Sequence, residues 1–481
     1  MMKTKQLFKS HLFSLAALFS IALTAVSCAN EDIAQNGKTG DSGKGFATFV
    51  ADVPTQTRTS IDYATGKFYW EEGDKIYVKD DYGTIQVSIT VDAAHAHSAS
   101  FKFKVPGKFG GSANYKVYYL GKNSSSNQVT IPTAQTQTTP NTTNHLGNSG
   151  DYGTATATGT LGGSVFSFQL EHQATYLVFQ PYTSNAVLKN CYLTKIEVNS
   201  DDDIAETYTI NSSTGNLNGS AGSKQIVLTT KDPVAGSTNE KGFSFTNATS
   251  ISTADKVYML IKPGAHTLKV RYWVKDYDTN VEGTITKVLP SFNYDKNTYY
   301  DMTANLDVKN YDGDHYYMWD AQDQYWKGHE WNHSGSQPTL SQGLTGATTS
   351  NDYAKNNTDS RYYNESYPGN GVSNPATHTS CKDLPNANEL SWYCMYGDPR
   401  WDADELWTTM GRLYKGGMWF KKKSVLLAEG NYNTEKSADN TTDLRTTWKN
   451  YDNNSSSINN SGLPSAADAN KYFYLPALGY Y

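Results

Sequence analysis

The run His329-Glu330-Trp331-Asn332-His333 spells H-E-x-x-H. On a helix that pattern sets two imidazoles on one side for zinc, with the glutamate against the metal-bound water. The flanks deny the helix: Gly328 precedes the run, Asn332 lies inside it and Ser334-Gly335-Ser336-Gln337-Pro338 follows at once, weak helix formers apart from Gln337. The segment reads as an aromatic loop with incidental histidines. Glu71, Glu72 and Asp74, in Trp70-Glu71-Glu72-Gly73-Asp74, could gather a cation or perform acid/base work. A turn entering a strand is the stronger reading: Gly73 supplies a permissive backbone, Asp74 bonds nearby amides and Trp70 plugs the core. His172 carries the ring of a general base, but at a strand end it is expected to hydrogen-bond locally. Asp201-Asp202-Asp203 and Asp312-Gly313-Asp314 are short acidic turns without calcium-loop spacing. The sequence thus assigns no catalytic residue, no metal ligand and no cofactor.

The cysteines carry a different chemistry. Lys3, Lys5 and Lys9 precede an apolar stretch from Leu12 to Val26, which reads as a secretory signal over residues 1–27. Ala25-Val26-Ser27-Cys28 resembles the lipobox of bacterial lipoproteins, with Ala25 where Leu is usual. The resemblance implies a Cys28 carrying three acyl chains, which hold a protein to a bilayer where one chain does not. Ordinary cleavage at Ala25 or Ser27 is the other reading. Residues 28–44 form a polar, glycine-rich tether, and its Glu31-Asp32 pair resembles the acidic flag of outer-membrane surface lipoproteins in Bacteroidales-type bacteria. Of the remaining cysteines, Cys191 sits in an alternating run as a small buried hydrophobe. Cys381 and Cys394 could close a disulfide loop in an oxidising compartment.

The elements that must position these residues are strands. In 481 residues there are 41 Lys+Arg against 47 Asp+Glu, a net charge of −6 that argues against a nucleic-acid partner. The 35 Tyr, 17 Phe and 10 Trp among Gly, Asn and Ser punctuation suit half-buried strands joined by turns. From Gly45 to Val308 short runs alternate with a period near two, among them Phe46-Ala47-Thr48-Phe49-Val50, Phe101-Lys102-Phe103-Lys104-Val105 and Leu268-Lys269-Val270-Arg271-Tyr272-Trp273-Val274. Pro132 to Gly163, dominated by Thr, Asn, Gly and Gln, is expected to be a long loop or inter-domain connection. The fold class is mainly β, with two tandem antiparallel sandwiches over 45–163 and 164–308.

Thr57-Arg58-Thr59 ahead of Phe68-Tyr69-Trp70-Glu71-Glu72-Gly73-Asp74-Lys75-Ile76-Tyr77-Val78 resembles the fimbrillin-like family of bacterial surface lipoproteins. So do Phe168-Gln169-Leu170-Glu171-His172-Gln173-Ala174, Leu260-Ile261-Lys262-Pro263-Gly264 and Phe292-Asn293-Tyr294-Asp295-Lys296-Asn297-Thr298-Tyr299-Tyr300. The resemblance implies transthyretin-like β-sandwich domains assembled into a pilus by strand exchange, one subunit filling a groove in its neighbour. It also implies protease processing: cleavage after Arg58 would remove Phe46 to Val50. Arg58 paired with an acid is the plainer reading of that residue.

Near Asn310 the character changes, since eight of the ten Trp follow it. Residues 309–481 form a Trp-rich α+β C-terminal domain. Helices are expected at Asn386 to Tyr393, with Asn386 as cap and Glu389 three residues on, and at Asp402 to Met410. Tyr316-Tyr317-Met318-Trp319-Asp320-Ala321 and the terminal Leu475-Pro476-Ala477-Leu478-Gly479-Tyr480-Tyr481 resemble a surface module related to C-type-lectin-like folds, one expected to run further and so incomplete here. Aromatics beside Asn and Asp would suit sugars, although most should be core.

The expected function is a structural or adhesive component of a surface pilus, a fimbrium, at a tip or accessory position, and not an enzyme. Its partners would be other pilus subunits, the outer membrane through the lipid anchor, and host or bacterial glycans or proteins. The alternative is a monomeric cell-surface glycan-binding lipoprotein.

Overall fold

A computed structural model describes residues 3–6, 45–51, 60–62, 67–122, 124, 127–211, 213–311, 317–328, 330, 332, 354, 356–363, 378, 380–451 and 458–477. Strands dominate it. The first sheet runs in the spatial order 85–87, 76–79, 114–119, 153–159, 165–168, 46–51, 101–106, with Glu171–His172 pairing on 153–159. Its two ends meet where the Ile89 amide donates to the Lys104 carbonyl at 3.0 Å, so the sheet nearly closes on itself. Alternation supplies the interior: Ala47, Phe49 and Ala51 point in along one strand, Phe103 and Val105 along the next. Trp70 fills the middle, its ring centroid 5.0 Å from that of Phe103 and 5.7 Å from that of Tyr119.

The second unit packs two sheets together. Lys3–Gln6, Thr298–Asn305, Thr175–Tyr182 and Val257–Ile261 make the smaller one. The larger is ordered 134–136, 225–229, 192–200, 264–276, 281–294, 400–409, 412–421, 472–476. Phe179 of the smaller meets Tyr272 of the larger edge to face at 6.0 Å. The apolar core between them is continuous with Tyr77, Tyr118 and Leu120 of the first unit.

The structure corrects three expectations. The sheets are mixed rather than purely antiparallel, because 46–51 runs parallel to 165–168, and 175–182 parallel to 298–305. The stretch 132–163 is not loop throughout. It holds the strand Gly153–Gly159, which pairs along Asn114–Tyr119, and a strand at Ala134–Thr136. Its polar side chains are satisfied at a distance, as the carboxamides of Gln135 and Gln137 bond the backbone of Leu260 and Tyr258. Gly150 allows the close approach, since with φ of +88° a Cβ there would lie 1.9 Å from the Thr130 carbonyl oxygen.

The third correction is at Asp402 to Met410, which is a strand. Arg400–Thr409 forms a hairpin with Arg412–Lys421 about Met410 and Gly411, both at positive φ. The helix at Ala387–Tyr396 forms as expected, with Asn386 and Glu389 completing a reciprocal capping box.

Candidate functional site

The strand Phe46–Ala51 lies inside the first sheet. Thr48 to Ala51 pair in parallel with Val165 to Phe168 on one side, and Phe46 to Ala51 pair antiparallel with Phe101 to Pro106 on the other. Phe49 is wholly buried and stacks on Phe166 at 5.2 Å. A strand so placed fills a slot whose walls are unpaired backbone and whose floor is apolar. Residues 52–59, including Arg58, and residues 7–44, including Cys28, lie outside the described residues.

The acids flanking Gly73 do not converge. Asp74 is wholly buried, accepting from the Tyr119 hydroxyl at 3.0 Å and the Glu71 amide at 2.7 Å, while Glu72 is exposed. This is the turn that the sequence indicates. Of the H-E-x-x-H run, Glu330 and Asn332 are described, and Glu330 accepts from the Gln324 carboxamide at 2.7 Å. His329 and His333 lie outside the described residues. Among the described residues no group of three or more His, Cys, Asp or Glu is arranged to hold a metal ion.

His172 differs from its expected local bond. Its Nδ1 lies 2.9 Å from Oδ1 of Asp151, which also accepts from the Tyr176 hydroxyl at 2.8 Å. All three are buried, because pairing of His172 with Gly153 carries residue 151 inward. Asp151 was invisible to sequence reasoning, since its partners sit on other strands. The cluster ties the first unit to the second.

Cys191, Cys381 and Cys394 are thiols in the structure, with no bridge between Cys381 and Cys394. Cys381 Sγ accepts from the Asp320 amide at 3.2 Å, and Cys394 lies on the helix Ala387–Tyr396. Cys191 is buried, and burial pushes its thiol up to about 12.

The C-terminal strands add to the larger sheet beside Val281–Tyr294. Arg271 lies 3.0 Å from Asp402, and the Glu405 carboxylate accepts from the hydroxyls of Thr284 (3.0 Å) and Thr286 (2.6 Å) and from the Thr286 amide (2.8 Å). Burial pushes the Glu405 carboxyl up to about 7. Lys269 donates to the carbonyls of Leu463 and Pro464. Trp392 and Trp407 are core, their indole N–H groups bonded to the carbonyls of Lys436 and Gly416, whereas Trp448 is 83% exposed.

No protein-family model matches the chain, and no curated protein matches it. Among solved structures, the fimbrial anchor protein Mfa2 from Porphyromonas gingivalis is 10% identical, covering 50% of this chain and 82% of its own, with a TM-score of 0.25. The tip fimbrial protein Mfa3 from the same organism is 10% identical over 53% of this chain and 94% of its own, with a TM-score of 0.27. A fimbrial assembly protein from Parabacteroides distasonis is 14% identical over 55% of this chain and 92% of its own, with a TM-score of 0.26. Scores of this size fall short of a shared overall fold. Among the described residues no helix is long and apolar enough to cross a membrane.

Proposed function

We propose that the chain is a structural or adhesive pilus component, brought to the outer membrane by a lipid on Cys28 of the uncut form and joined to other subunits by strand exchange once cut. The observation that carries this reading is the interior position of Phe46–Ala51. Cleavage after Arg58 would free that strand, leaving the amides and carbonyls of Val165–Phe168 and Phe101–Pro106 unpaired beside the apolar wall that Phe49 occupies. An incoming strand would supply both main-chain bonds and alternating side chains.

A tip or accessory position is supported by the C-terminal strands. They cover the flank of Val281–Tyr294, where a repeating contact would otherwise have room. The two units are read as transthyretin-like sandwiches, expected over 45–163 and 164–308 but exchanging strands, since 165–168 joins the first sheet and 134–136 the second, with 309–481 as an added module.

The test is mass spectrometry of the surface form with electron microscopy of filaments from wild-type and Arg58→Ala cells. Lipid on Cys28 of the uncut form, an N-terminus at residue 59 in the filament form and loss of filament incorporation in the variant support the reading. Incorporation of an uncut Arg58→Ala chain at the wild-type level defeats strand release.

A further inference from the structure

The outer face of the first sheet meets the hairpin Ala205–Ser223 across a cleft of about 620 Å³. The strand register builds its floor: Tyr118 lies opposite Thr154, Lys116 opposite Thr156, and Thr154 opposite Glu171, so these side chains share one face. Tyr208 and Asn216 form the facing wall. That wall is held in place from the floor. Lys116 Nζ lies 3.3 Å from the Thr214 and Gly215 carbonyls and 3.1 Å from Asn216 Oδ1, and the Tyr118 hydroxyl donates to the Gly215 carbonyl at 2.5 Å. The cleft is therefore shaped before anything enters it, which lowers the ordering cost of binding.

Its chemistry narrows the occupant. The charged side chains already spend their hydrogen bonds within the protein, Lys116 on those neutral oxygens and Glu171 on Lys296 at 3.2 Å, so the polar groups left for a ligand are mainly neutral. The lining is mostly hydroxyl and carboxamide, unlike the apolar walls of drug-type pockets. Tyr208 is half-buried, with its ring 4.7 Å from that of Tyr152 and tilted by 31°. A phenol ring beside amides suits a ligand with one C–H-rich face and a rim of hydroxyls. Among the described residues, no hydrogen bond engages the side-chain Nδ2 of Asn216 or the Thr156 hydroxyl. Both line the cleft as spare donors.

We infer that this cleft, between the first sheet and the 205–223 hairpin, binds an uncharged carbohydrate chain. The site lies outside residues 309–481, and the inference stands whether or not the chain joins a pilus. Isothermal titration calorimetry of the full-length protein in detergent, with cellohexaose, maltohexaose, mannohexaose and chitohexaose as probes up to millimolar concentration, tests it. Saturable binding of at least one probe is expected, weakened about tenfold or more by Tyr208→Ala and by Asn216→Ala. Asn216 is exposed and its side chain makes one bond, to Lys116, so its variant keeps the fold even where Tyr208→Ala lowers the melting temperature. Absence of binding by all four probes overturns the proposal. Binding that Asn216→Ala and Tyr208→Ala leave at wild-type affinity overturns it as well.

Discussion

The Gln135 side chain behaves as a fragment of strand toward Leu260: its Nε2 donates to the Leu260 carbonyl at 2.8 Å while its Oε1 accepts from the Leu260 amide at 3.0 Å. Two residues on, Gln137 repeats the device, accepting from the Tyr258 amide at 2.8 Å and donating to the Lys256 carbonyl at 3.1 Å. The outer edge of Val257–Ile261 is thus closed by carboxamides, which leave no bare backbone for another chain to template upon.

Gln135→Ala should strip the side-chain partner from two buried backbone groups, the Leu260 amide and the Leu260 carbonyl. Leaving such groups unsatisfied costs about 1–3 kcal/mol each, so urea unfolding should show a loss of about 2–6 kcal/mol. A loss under about 0.5 kcal/mol would mean that water or a shifted strand replaces the carboxamide.

Phe49→Ala should destabilise the first unit by about 3–5 kcal/mol, the range for truncating a buried aromatic. The melt of the intact chain should show this loss. If the strand is released during assembly, a form cut after Arg58 should melt alike with and without the substitution.

Glu405 links stability to pH. Its folded carboxyl sits near 7, above the ordinary value of 4.5, so the folded state binds the proton more tightly than the unfolded chain. The contribution is complete below about 4.5 and is lost as pH rises through about 7. Melting temperature should therefore fall between those limits on raising pH, and Glu405→Gln should flatten that slope. A variant that keeps the slope would assign it to another group.

Arg271→Ala should expose the junction with the C-terminal strands. Asp402 is 4% exposed and would lose the guanidinium beside it. Removing one partner of a buried pair costs about 3–5 kcal/mol, less where one side is partly wet, as Arg271 is. Limited proteolysis should release the 400–421 hairpin faster than in wild type, and an unchanged rate would argue that strand pairing alone holds it.

The strands with a clean period of two were legible because each buried side chain faces a core that alternation alone defines, as at Phe101–Pro106. The helix at Ala387–Tyr396 was legible because its cap is local, Asn386 and Glu389 being three residues apart. The segment 132–163 was not: Gln135 finds Leu260, 125 residues away, and no local pattern encodes that bond. Asp402 to Met410 misled for the opposite reason. Its acids resemble a helix start, yet they bond Arg271, Lys415 and Thr286 on neighbouring strands. The His172 cluster and the tyrosine-lined cleft share that blindness, since strand register assembles both.

The parallel seam between Thr48 and Val165 also constrains how the chain is made. The seam joins positions more than a hundred residues apart, so Phe46–Ala51 can meet its other neighbour, Phe101–Pro106, long before Val165–Phe168 is synthesised. Closure of the first sheet is consequently a late, non-local step, slow relative to hairpins such as Gly264–Asp276 with Val281–Tyr294.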